Sequence, residues 1–444
     1  MTVTDSSVAL GSPWPQTARR AADGQLEIGG VSLPSLAERY GTPLYIFDEQ
    51  TVRDTARMFR TAFTAAYPHS KVVYAGKAFL AAALVRILRE EGLGLDVVSG
   101  GELFTALRAG MPASEISLHG NNKTPRELGE ALAAGIGQIV IDNDYEISLL
   151  EALTADRAAP APVMIRLNPE VDVHTHRKIS TGMTGSKFGF PIRDGQAEAA
   201  VVRILASPGL RLVGLHAHIG SQLFDAEATL ASIETLLDFA AKMSEIHGFV
   251  LEHLSPGGGF GIAHSVANEP PTIESWAELI GAAVRNGCAV RNLPEPILTV
   301  EPGRALIGPA GVALYTVGSR KALPGIRTYV SVDGGMADNI RPSLYDAPYT
   351  AALANRIGSN APEVITIAGK YCESGDVLIE NISLPGLEPG DLLAIPAAGA
   401  YTLAMASNYN LAPRPAVVLV NNGQARVIQR RETYDDMMRR DVDN

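Results

Sequence analysis

Residues 72–102, VVYAGKAFLAAALVRILREEGLGLDVVSGGE, contain one complete strand–helix–strand unit. The β-branched and aromatic run Val72–Ala75 predicts a strand, and Leu95–Val98 predicts a second one. Between them, Ala78–Glu91 has the apolar spacing of a helix. A helix that joins two short apolar strands is typical of a parallel α/β fold.

The same alternation continues to about residue 301 and predicts eight strands. These are Val72–Ala75, Leu95–Val98, Ile116–His119, Gln138–Asp142, Val163–Leu167, Leu212–Ala217, Val250–Leu254 and Ile297–Glu301. Most of the segments between them are rich in Ala, Leu, Glu and Arg with helical spacing, such as Thr124–Ala134. Eight such units predict a TIM-type (β/α)8 barrel, whose usual size is about 250 residues.

The segments outside this repeat predict a second, β-rich domain. An amphipathic helix, roughly Asp48–Ala66, precedes the barrel strands, and helices become sparse after Pro309. The β-rich runs that recur there between Gly and Pro turns include Thr328–Val332, Glu363–Ile367, Asp391–Ile395 and Ala416–Val420. We predict a barrel domain over residues 38–309. Residues 1–37 and 310–444 would form a β-sandwich-like or barrel-like domain, with Leu26–Leu33 as a lone strand in it.

The composition narrows the class of function. The chain has 444 residues and a formal net charge of −11, which argues against nucleic acid or an anionic membrane as a partner, because either favours basic patches. It has only two cysteines, Cys288 and Cys372, which argues against a disulfide framework and fits a reducing cytosol. The N-terminus lacks the apolar core of a signal peptide, and no apolar run reaches roughly 18 residues. We therefore expect a cytoplasmic protein with no membrane segment.

Polar residues of unusual types follow nearly every predicted barrel strand. In barrels of this kind the chemistry gathers on loops at the carboxyl ends of the strands, so these residues predict a single site. In strand order they are Gly76 and Lys77; Asp96, Ser99 and Glu102; residues 119–123 (HGNNK); Asn168; His216, His218, Gly220 and Ser221; Gly257, Gly258 and Gly259; and Glu301, Gly303 and Arg304.

Three consecutive glycines, Gly257 to Gly259, together with Arg304 predict a phosphorylated ligand. Glycines let backbone N–H groups approach an anion closely, and a phosphate site after strands seven and eight recurs in barrels. Arg304 would add a positive charge. Taken alone, the glycine run is equally well explained as a flexible turn.

Lys77 and Glu301 supply the groups that pyridoxal phosphate (PLP) requires. A lysine desolvated at the barrel mouth becomes a better Schiff-base nucleophile, although a lone lysine is more often solvated. A carboxylate against the pyridine nitrogen keeps that nitrogen protonated and makes the ring an electron sink, which suits loss of CO2. His216 and His218 could instead be a zinc pair, but no third ligand follows at a suitable spacing, so no metal is expected.

Taken together, the motifs resemble the fold-type III PLP decarboxylases, and most closely the bacterial diaminopimelate decarboxylases, which are related to ornithine and arginine decarboxylases. The resemblance runs from about Pro43 to Asp436. Its motifs are Tyr74–Lys77 (YAGK), Gly94–Glu102 (GLDVVSGGE), His119–Lys123 (HGNNK), Lys178–Gly189 (KISTGMTGSKFG), His216–Gln222 (HAHIGSQ), Gly257–Gly261 (GGGFG), Glu301–Arg304 (EPGR), Arg341–Tyr345 (RPSLY) and Cys372–Asp376 (CESGD). The resemblance implies an alanine-racemase-like barrel with a C-terminal β-rich domain, and PLP as the cofactor.

The resemblance also implies roles for individual residues. Lys77 would bind PLP covalently, His218 would stack on its ring, and Glu301 would face its pyridine nitrogen. Cys372 would return a proton after CO2 leaves, and it would come from the partner subunit of a homodimer with two shared active sites. The other residues implied around the cofactor, its phosphate or the adjacent substrate are Asp96, Ser221, Gly257, Gly258, Gly259, Gly303, Arg304 and Tyr401.

The substrate that the resemblance implies is meso-2,6-diaminopimelate, converted to L-lysine and CO2 in the last step of bacterial lysine biosynthesis. Arg341, with Tyr345, matches the site of its distal carboxylate and Glu373 that of its distal amine; Arg304 and Tyr401 also border the substrate. The loop Lys178–Gly189 is expected to close over it. The alternatives are a decarboxylase of ornithine, arginine, lysine or a carboxylated polyamine precursor, an amino-acid racemase, and an inactive relative that binds partners.

Overall fold

The structure, a computed structural model, describes residues 7–171, 186–265, 269–358 and 361–442. Internal contacts divide the chain into two compact units. The barrel unit comprises Thr55–Gly261 and Pro270–Arg304, and the β-rich unit comprises Met1–Asp54, Ile262–Glu269 and Ala305–Asn444. The domain boundaries expected from sequence, at residues 38 and 309, stay a prediction.

Strands and helices of the described residues are numbered along the chain. The strands are β1 (Val8–Ala9), β2 (Arg19–Arg20), β3 (Leu26–Ile28), β4 (Val31–Ser32), β5 (Leu44–Asp48), β6 (Ser70–Ala75), β7 (Gly94–Val97), β8 (Ile116–Leu118), β9 (Gln138–Ile141), β10 (Ala161–Asn168), β11 (Phe190–Pro191), β12 (Leu210–His216), β13 (His253–Gly257), β14 (Ile297–Val300), β15 (Gly311–Leu323), β16 (Arg327–Val332), β17 (Ala352–Leu353), β18 (Glu363–Ala368), β19 (Val377–Leu384), β20 (Leu392–Ile395), β21 (Ala416–Asn421) and β22 (Gln424–Gln429). The helices are α1 (Leu33–Tyr40), α2 (Glu49–Ala66), α3 (Ala82–Glu90), α4 (Gly100–Arg108), α5 (Pro125–Ala134), α6 (Asp144–Thr154), α7 (Gln196–Ala206), α8 (Glu227–His247), α9 (Ile273–Val290), α10 (Arg304–Ile307), α11 (Arg341–Tyr345) and α12 (Tyr434–Met438).

The barrel unit contains a closed ring of eight parallel strands. Along the ring the order is β6, β7, β8, β9, β10, β12, β13 and β14, and β14 pairs with β6 to close it. The prediction of a TIM-type barrel is therefore confirmed. Closure leaves no free sheet edge, and it brings the carboxyl ends of all eight strands to one rim.

Side chains at the strand–helix junctions start the helices that follow. Ser99 accepts a hydrogen bond from the Glu102 amide and caps α4, while Thr124 and Glu127 form a reciprocal capping box at α5. Such caps satisfy amides that have no partner within the helix. They fix where each loop ends, directly beside the strand termini that carry the polar residues.

The seventh barrel strand lies three residues later than predicted. The prediction was Val250–Leu254, whereas β13 is His253–Gly257. Val250 is 58% exposed, so its hydrophobicity does not contribute to the core. The shift places Ser255 inside the strand and Gly257 at its end.

The β-rich unit is organised around a strand that the sequence patterns did not predict. β5, with the sequence LYIFD, is buried along its whole length, pairs antiparallel with β15 and parallel with β21, and lies in a nine-stranded sheet. A strand buried on both faces shows no polar–apolar alternation, so it lacks the usual signal.

The expected lone strand Leu26–Leu33 is wrong. Residues 26–32 form a hairpin of β3 and β4, turned at Gly29 and Gly30, whose φ values are 59° and 77°. With β1 and β2 the hairpin builds a separate four-stranded sheet, and Leu33 already belongs to α1, capped by Ser32. Two adjacent glycines with positive φ turn the chain, which an uninterrupted strand does not allow.

Among the described residues, no helix combines the length and the hydrophobicity needed to cross a membrane.

Candidate active site

Glu301 lies at the centre of a buried polar cluster in the barrel unit. It follows β14 directly, and its Oε2 atom lies 3.1 Å from Nε2 of His216, the last residue of β12. Its Oε1 atom accepts a hydrogen bond of 2.7 Å from the Ser255 hydroxyl in β13. His119, which follows β8, has its Nε2 atom 3.9 Å from Oε1. Three strand ends therefore converge on one carboxylate.

This environment keeps Glu301 ionised. Burial alone would raise the pKa of the carboxyl group, but the charges of His216 and His119 and the hydrogen bonds from His216 and Ser255 outweigh it, and the net pKa lies well below the ordinary value. A carboxylate that accepts several hydrogen bonds is stabilised in its charged form.

Asp96 is a second buried acid of this cluster, and its pKa shifts the other way. Its pKa lies well above the ordinary value because of burial first and the Glu301 carboxylate second. The Asp96 Oδ1 atom has no hydrogen-bond partner among the described residues and lies 3.8 Å from His119 Nε2. Two neighbouring acids whose pKa values diverge indicate one charged group and one proton-holding group in the site.

His218 lies beyond the end of β12 and contacts the glycine loop rather than Glu301. The Gly258 amide donates a hydrogen bond of 3.3 Å to His218 Nδ1, so that nitrogen carries a lone pair. Burial, followed by the positive charge of Lys77, lowers the pKa of His218 well below the ordinary value. The ring is therefore neutral and bears its proton on Nε2.

The glycine loop 257–259 has no room for side chains. Gly257 and Gly259 have φ values of 80° and 104°, and a Cβ atom on Gly258 would lie 2.1 Å from the Glu301 carbonyl oxygen. Arg304, which is 5% exposed, donates from Nε and Nη2 to the Ser221 hydroxyl at 3.2 and 3.1 Å. Gly303 is tight as well, since a Cβ atom there would lie 3.1 Å from that of Ala75.

The expected burial of Lys77 is wrong. The residue follows β6 on a single 3-10 turn, Gly76–Ala78, and its side chain is exposed, because the chain has already left the sheet at this point. A Cβ atom on Gly76 would lie 2.7 Å from the Asp96 carbonyl oxygen, so only glycine allows this turn. The Tyr74 hydroxyl stabilises the turn by donating a hydrogen bond of 2.7 Å to the Phe79 carbonyl.

These barrel residues fit a bound PLP. Glu301 is a buried anion suited to a protonated pyridine nitrogen, and Asp96 has an unsatisfied buried oxygen. The glycine loop and Arg304 offer N–H groups and a charge suited to a phosphate. Lys77 would supply the amine that a Schiff base with the cofactor requires.

The described residues also form one group that could hold a metal ion, and it differs from the histidine pair considered from sequence. His119, His216 and Glu301 offer ligand atoms within 4.8 Å of one another. His218 is not part of this group. The hydrogen bond between His216 and Glu301 accounts for this arrangement without a metal ion. The expectation that no metal is used stays a prediction.

The β-rich unit contains a buried arginine with neutral partners. Arg341 opens α11, is 4% exposed, and donates from Nη1 to His264 Nε2 at 2.9 Å and to the Tyr349 hydroxyl at 2.8 Å. Its buried Nε atom has no partner, and no carboxylate lies within ion-pair distance of it in the described part of the chain. The hydroxyl group against Arg341 is thus that of Tyr349, which sequence reasoning missed; Tyr345 is partly buried at the end of α11.

The CESGD loop is exposed but well fixed. The Cys372 amide donates to Asn410 Oδ1 at 3.0 Å, and the Cys372 carbonyl accepts from the Tyr409 hydroxyl at 3.0 Å. Asp376 is buried and accepts from the amides of Met336 and Tyr371 at 2.7 and 2.8 Å. The side chains of Cys372 and Glu373 themselves are exposed.

Each unit therefore gathers a part of the predicted site. The barrel unit brings together Asp96, His218, Ser221, Gly257, Gly258, Gly259, Glu301, Gly303 and Arg304. Arg341, Tyr345, Cys372, Glu373 and Tyr401, whose φ is 59°, belong to the β-rich unit. Of the expected substrate loop Lys178–Gly189, residues 178–185 lie outside the described residues.

Comparisons with known proteins identify the family. The family described as "Pyridoxal-dependent decarboxylase, pyridoxal binding domain" matches residues 50–308. The diaminopimelate decarboxylase of Bacillus subtilis (strain 168) is 48% identical over 426 residues, which cover 96% of this chain and 97% of that protein. The relative of the same name from Synechocystis is also 48% identical, over 96% of this chain and 92% of its own length.

Solved structures agree with these relatives. The crystal structure of diaminopimelate decarboxylase from M. jannaschii in complex with L-lysine has a TM-score of 0.91 at 34% identity, over 97% of this chain and 98% of that one. A lysine/ornithine decarboxylase from Vibrio vulnificus complexed with cadaverine has a TM-score of 0.74 at 25% identity, over 88% of this chain and 96% of that one. The chain belongs to the PLP-dependent decarboxylases and, within them, to the diaminopimelate decarboxylase family.

Proposed function

We propose that this enzyme uses PLP to decarboxylate meso-2,6-diaminopimelate to L-lysine and CO2, the last step of bacterial lysine biosynthesis. The observation that carries the substrate assignment is the buried guanidinium of Arg341. The names of the relatives of this chain point to the same substrate.

Arg341 is suited to the carboxylate at the far end of this substrate. Both hydrogen bonds of its side chain leave from Nη1 and reach neutral acceptors, His264 and Tyr349. The Nε–Nη2 edge has no partner among the described residues, and two parallel N–H groups on this edge match the two oxygens of a carboxylate. A buried cation without a counter-ion is unfavourable, so an anionic ligand is strongly preferred over a neutral one.

The same reasoning rejects shorter or decarboxylated amino acids. Ornithine and lysine carry an amine at the far end but no second carboxylate, and they would leave Arg341 unpaired. A site built to hydrogen-bond a substrate group discriminates strongly against analogues that lack it. We place Glu373, an exposed carboxylate, at the distal amine.

Within the barrel unit, each polar group has a part in holding the cofactor. When bound, PLP accepts the electron pair that remains on the substrate carbon as CO2 leaves. Glu301, held ionised, would keep a proton on the pyridine nitrogen. The neutral ring of His218 would provide a flat surface for stacking. Arg304 would bind the phosphate beside the 257–259 loop, whose glycines allow a close approach. Lys77 supplies the amine for covalent attachment.

Cys372 is the proposed proton donor. The bond between the substrate carbon and the carboxylate breaks with its electron pair left on carbon, and the Sγ–H proton then completes the new C–H bond. We propose that Cys372 reaches the site of a partner subunit in a homodimer. Its exposure, on a loop whose backbone is fixed by Tyr409 and Asn410, supports this role. We also propose a cytoplasmic location, since an exposed thiol must stay reduced.

The test is CO2 release with product identification. The purified protein with added PLP is incubated separately with meso-diaminopimelate, L-ornithine, L-arginine and L-lysine. L-lysine and CO2 from diaminopimelate alone is the expected result. A preference for ornithine, arginine or lysine would overturn the substrate assignment and the role of Arg341, while exchange of the α-proton without CO2 would indicate a racemase.

A further inference from the structure

Ser255 connects the glycine loop to Glu301 through two hydrogen bonds. The Gly257 amide donates to Ser255 Oγ at 3.1 Å, and Ser255 Oγ donates to Glu301 Oε1 at 2.7 Å. Ser255 is 1% exposed and Glu301 8% exposed. All three residues lie in the barrel unit, on β13 and directly after β14.

The direction of each hydrogen bond follows from chemistry. An ionised carboxylate can only accept, so the Ser255 proton must point at Glu301. The Ser255 oxygen is then left with lone pairs, and the Gly257 N–H fills one of them. The chain Gly257 N–H, Ser255 O–H, Glu301 carboxylate therefore has one polarity, and hydrogen bonds in such a chain strengthen one another.

The second oxygen of Glu301 is held in the same way. His216 is 1% exposed, and its Nε2 atom lies 3.1 Å from Oε2. Because the carboxylate accepts, His216 must carry a proton on Nε2. With one donor on each oxygen, the plane of the carboxylate cannot rotate without breaking a buried hydrogen bond.

We propose that Ser255 and His216 are positioning residues that hold the Glu301 carboxylate in one orientation, and that Ser255 also fixes it relative to the glycine loop. This inference rests on the proposed role of Glu301 at the pyridine nitrogen and of the 257–259 loop at the phosphate. These two groups would hold two parts of the same ligand. A single hydroxyl group between them sets their relative position before the cofactor arrives, which lowers the entropic cost of binding.

The first experiment measures PLP affinity in Ser255→Ala. Apoprotein is titrated with PLP and the bound fraction is followed by absorbance and tryptophan fluorescence. Without this hydrogen bond the Glu301 carboxylate has to be ordered as PLP binds, and we expect a Kd about tenfold higher. Ser232→Ala is the matched control, because Ser232 is fully buried in the same unit and its hydroxyl has no hydrogen-bond partner among the described residues. We expect the control to bind PLP like the unsubstituted protein.

A double-mutant cycle tests whether Ser255 acts through Glu301. PLP affinity is measured for Ser255→Ala, Glu301→Gln and the double variant. If Ser255 works by orienting the carboxylate, its substitution changes the Kd much less in the Glu301→Gln protein than in the unsubstituted one. Equal changes in both backgrounds would overturn the proposal and leave Ser255 with a purely structural role. Circular dichroism checks that each variant is folded.

His216 gives a second test that does not depend on Ser255. His216→Gln keeps an N–H donor near Oε2 and is expected to retain most of the PLP affinity, whereas His216→Leu removes the donor and is expected to raise the Kd about tenfold. Equal losses in the two variants would contradict the positioning role. So would binding of one Zn²⁺ per chain to the apoprotein that is lost in His216→Leu, because His216 would then be a metal ligand.

These measurements are separate from the test of the substrate. PLP affinity requires no substrate, so a failure of the diaminopimelate assay leaves the Ser255 result interpretable. Conversely, an unchanged Kd in Ser255→Ala and both His216 variants would refute this inference without affecting the proposed reaction.

Discussion

Substitution of Arg341 by methionine should reduce activity on diaminopimelate while leaving the protein stable. Methionine has a similar length and no charge. In the folded protein Arg341 is buried, with two hydrogen bonds to neutral groups and an Nε–Nη2 edge that has no partner in the described part of the chain. Replacing a buried charge by an apolar side chain of similar volume is often neutral for stability. We therefore expect Tm to change by less than about 4 °C, corresponding to under about 1 kcal/mol.

The loss of activity follows from the two N–H groups on the free edge. Hydrogen bonds between charged groups contribute about 1.5 kcal/mol each at the lower end of the usual range, so two contribute about 3 kcal/mol. With about 1.4 kcal/mol for each factor of ten, kcat/KM for diaminopimelate should fall about 150-fold. Binding of the product L-lysine, which lacks the distal carboxylate, should not weaken, because no bond to Arg341 is lost.

The assay measures kcat/KM for meso-diaminopimelate, with CO2 release as the readout, and the inhibition constant of L-lysine in the same preparation. Arg320→Met is the control, since Arg320 lies in the same unit and pairs with Glu363 at the surface. An unchanged kcat/KM for meso-diaminopimelate in Arg341→Met would refute the assignment of the distal carboxylate. A large drop in Tm would instead mean that Arg341 stabilises the β-rich unit.

Three further predictions test the remaining assignments. Lys77→Ala should remove the visible absorbance of covalently bound PLP, as measured by spectrophotometry after gel filtration, because no amine remains for attachment. Cys372→Ala should lower kcat at unchanged PLP affinity, and mixing it with Lys77→Ala should restore roughly a quarter of the normal activity if sites are shared in a dimer, since half of the dimers would then contain one intact site; no restoration would contradict sharing. In the β-rich unit, burial raises the pKa of Asp338 from 3.8 to about 6, so the folded state binds more protons than the unfolded state between these values and stability falls as pH rises through them. Denaturant titrations at pH 4 and 7 should show this loss, up to about 3 kcal/mol, and Asp338→Asn should abolish it.

The barrel could be predicted from the sequence because each of its strands is short, apolar and followed by polar residues. The patterns failed where burial on both faces or a glycine turn removed the periodicity. β5 is fully buried and was missed, and the Gly29–Gly30 turn split the expected strand Leu26–Leu33 in two. Val250 is apolar but exposed, and because it was counted as a strand residue, the seventh strand was predicted too close to the N-terminus.

The site was predictable where a motif carries its own chemistry and not where a residue acts through another. Glu301 and Arg304 follow a strand end, and in a barrel this position is sufficient to predict a site residue. Ser255 lies within a strand, and nothing in the sequence distinguishes it from a packing residue. His119 lies at a predicted strand end, so its position was a usable signal. Its approach to Glu301, however, depends on the closure of the barrel by strands that are distant in the sequence. His264 and Tyr349 could be found only through the fold, because they are linked by their shared contact with Arg341.

The surroundings of Glu301 and Cys372 differ in the way that their proposed tasks require. Glu301 has to remain charged throughout turnover, and it is buried where His216 and Ser255 hold both of its oxygens. Cys372 has to reach the site of a partner subunit, and in the single chain its side chain is exposed while its backbone is held. A thiol buried within its own chain could not reach a second subunit, and an exposed carboxylate would hold the pyridine proton weakly because water screens its charge. The difference in burial between these two residues therefore follows from where each must act, Glu301 within its own barrel and Cys372 in the site of a partner.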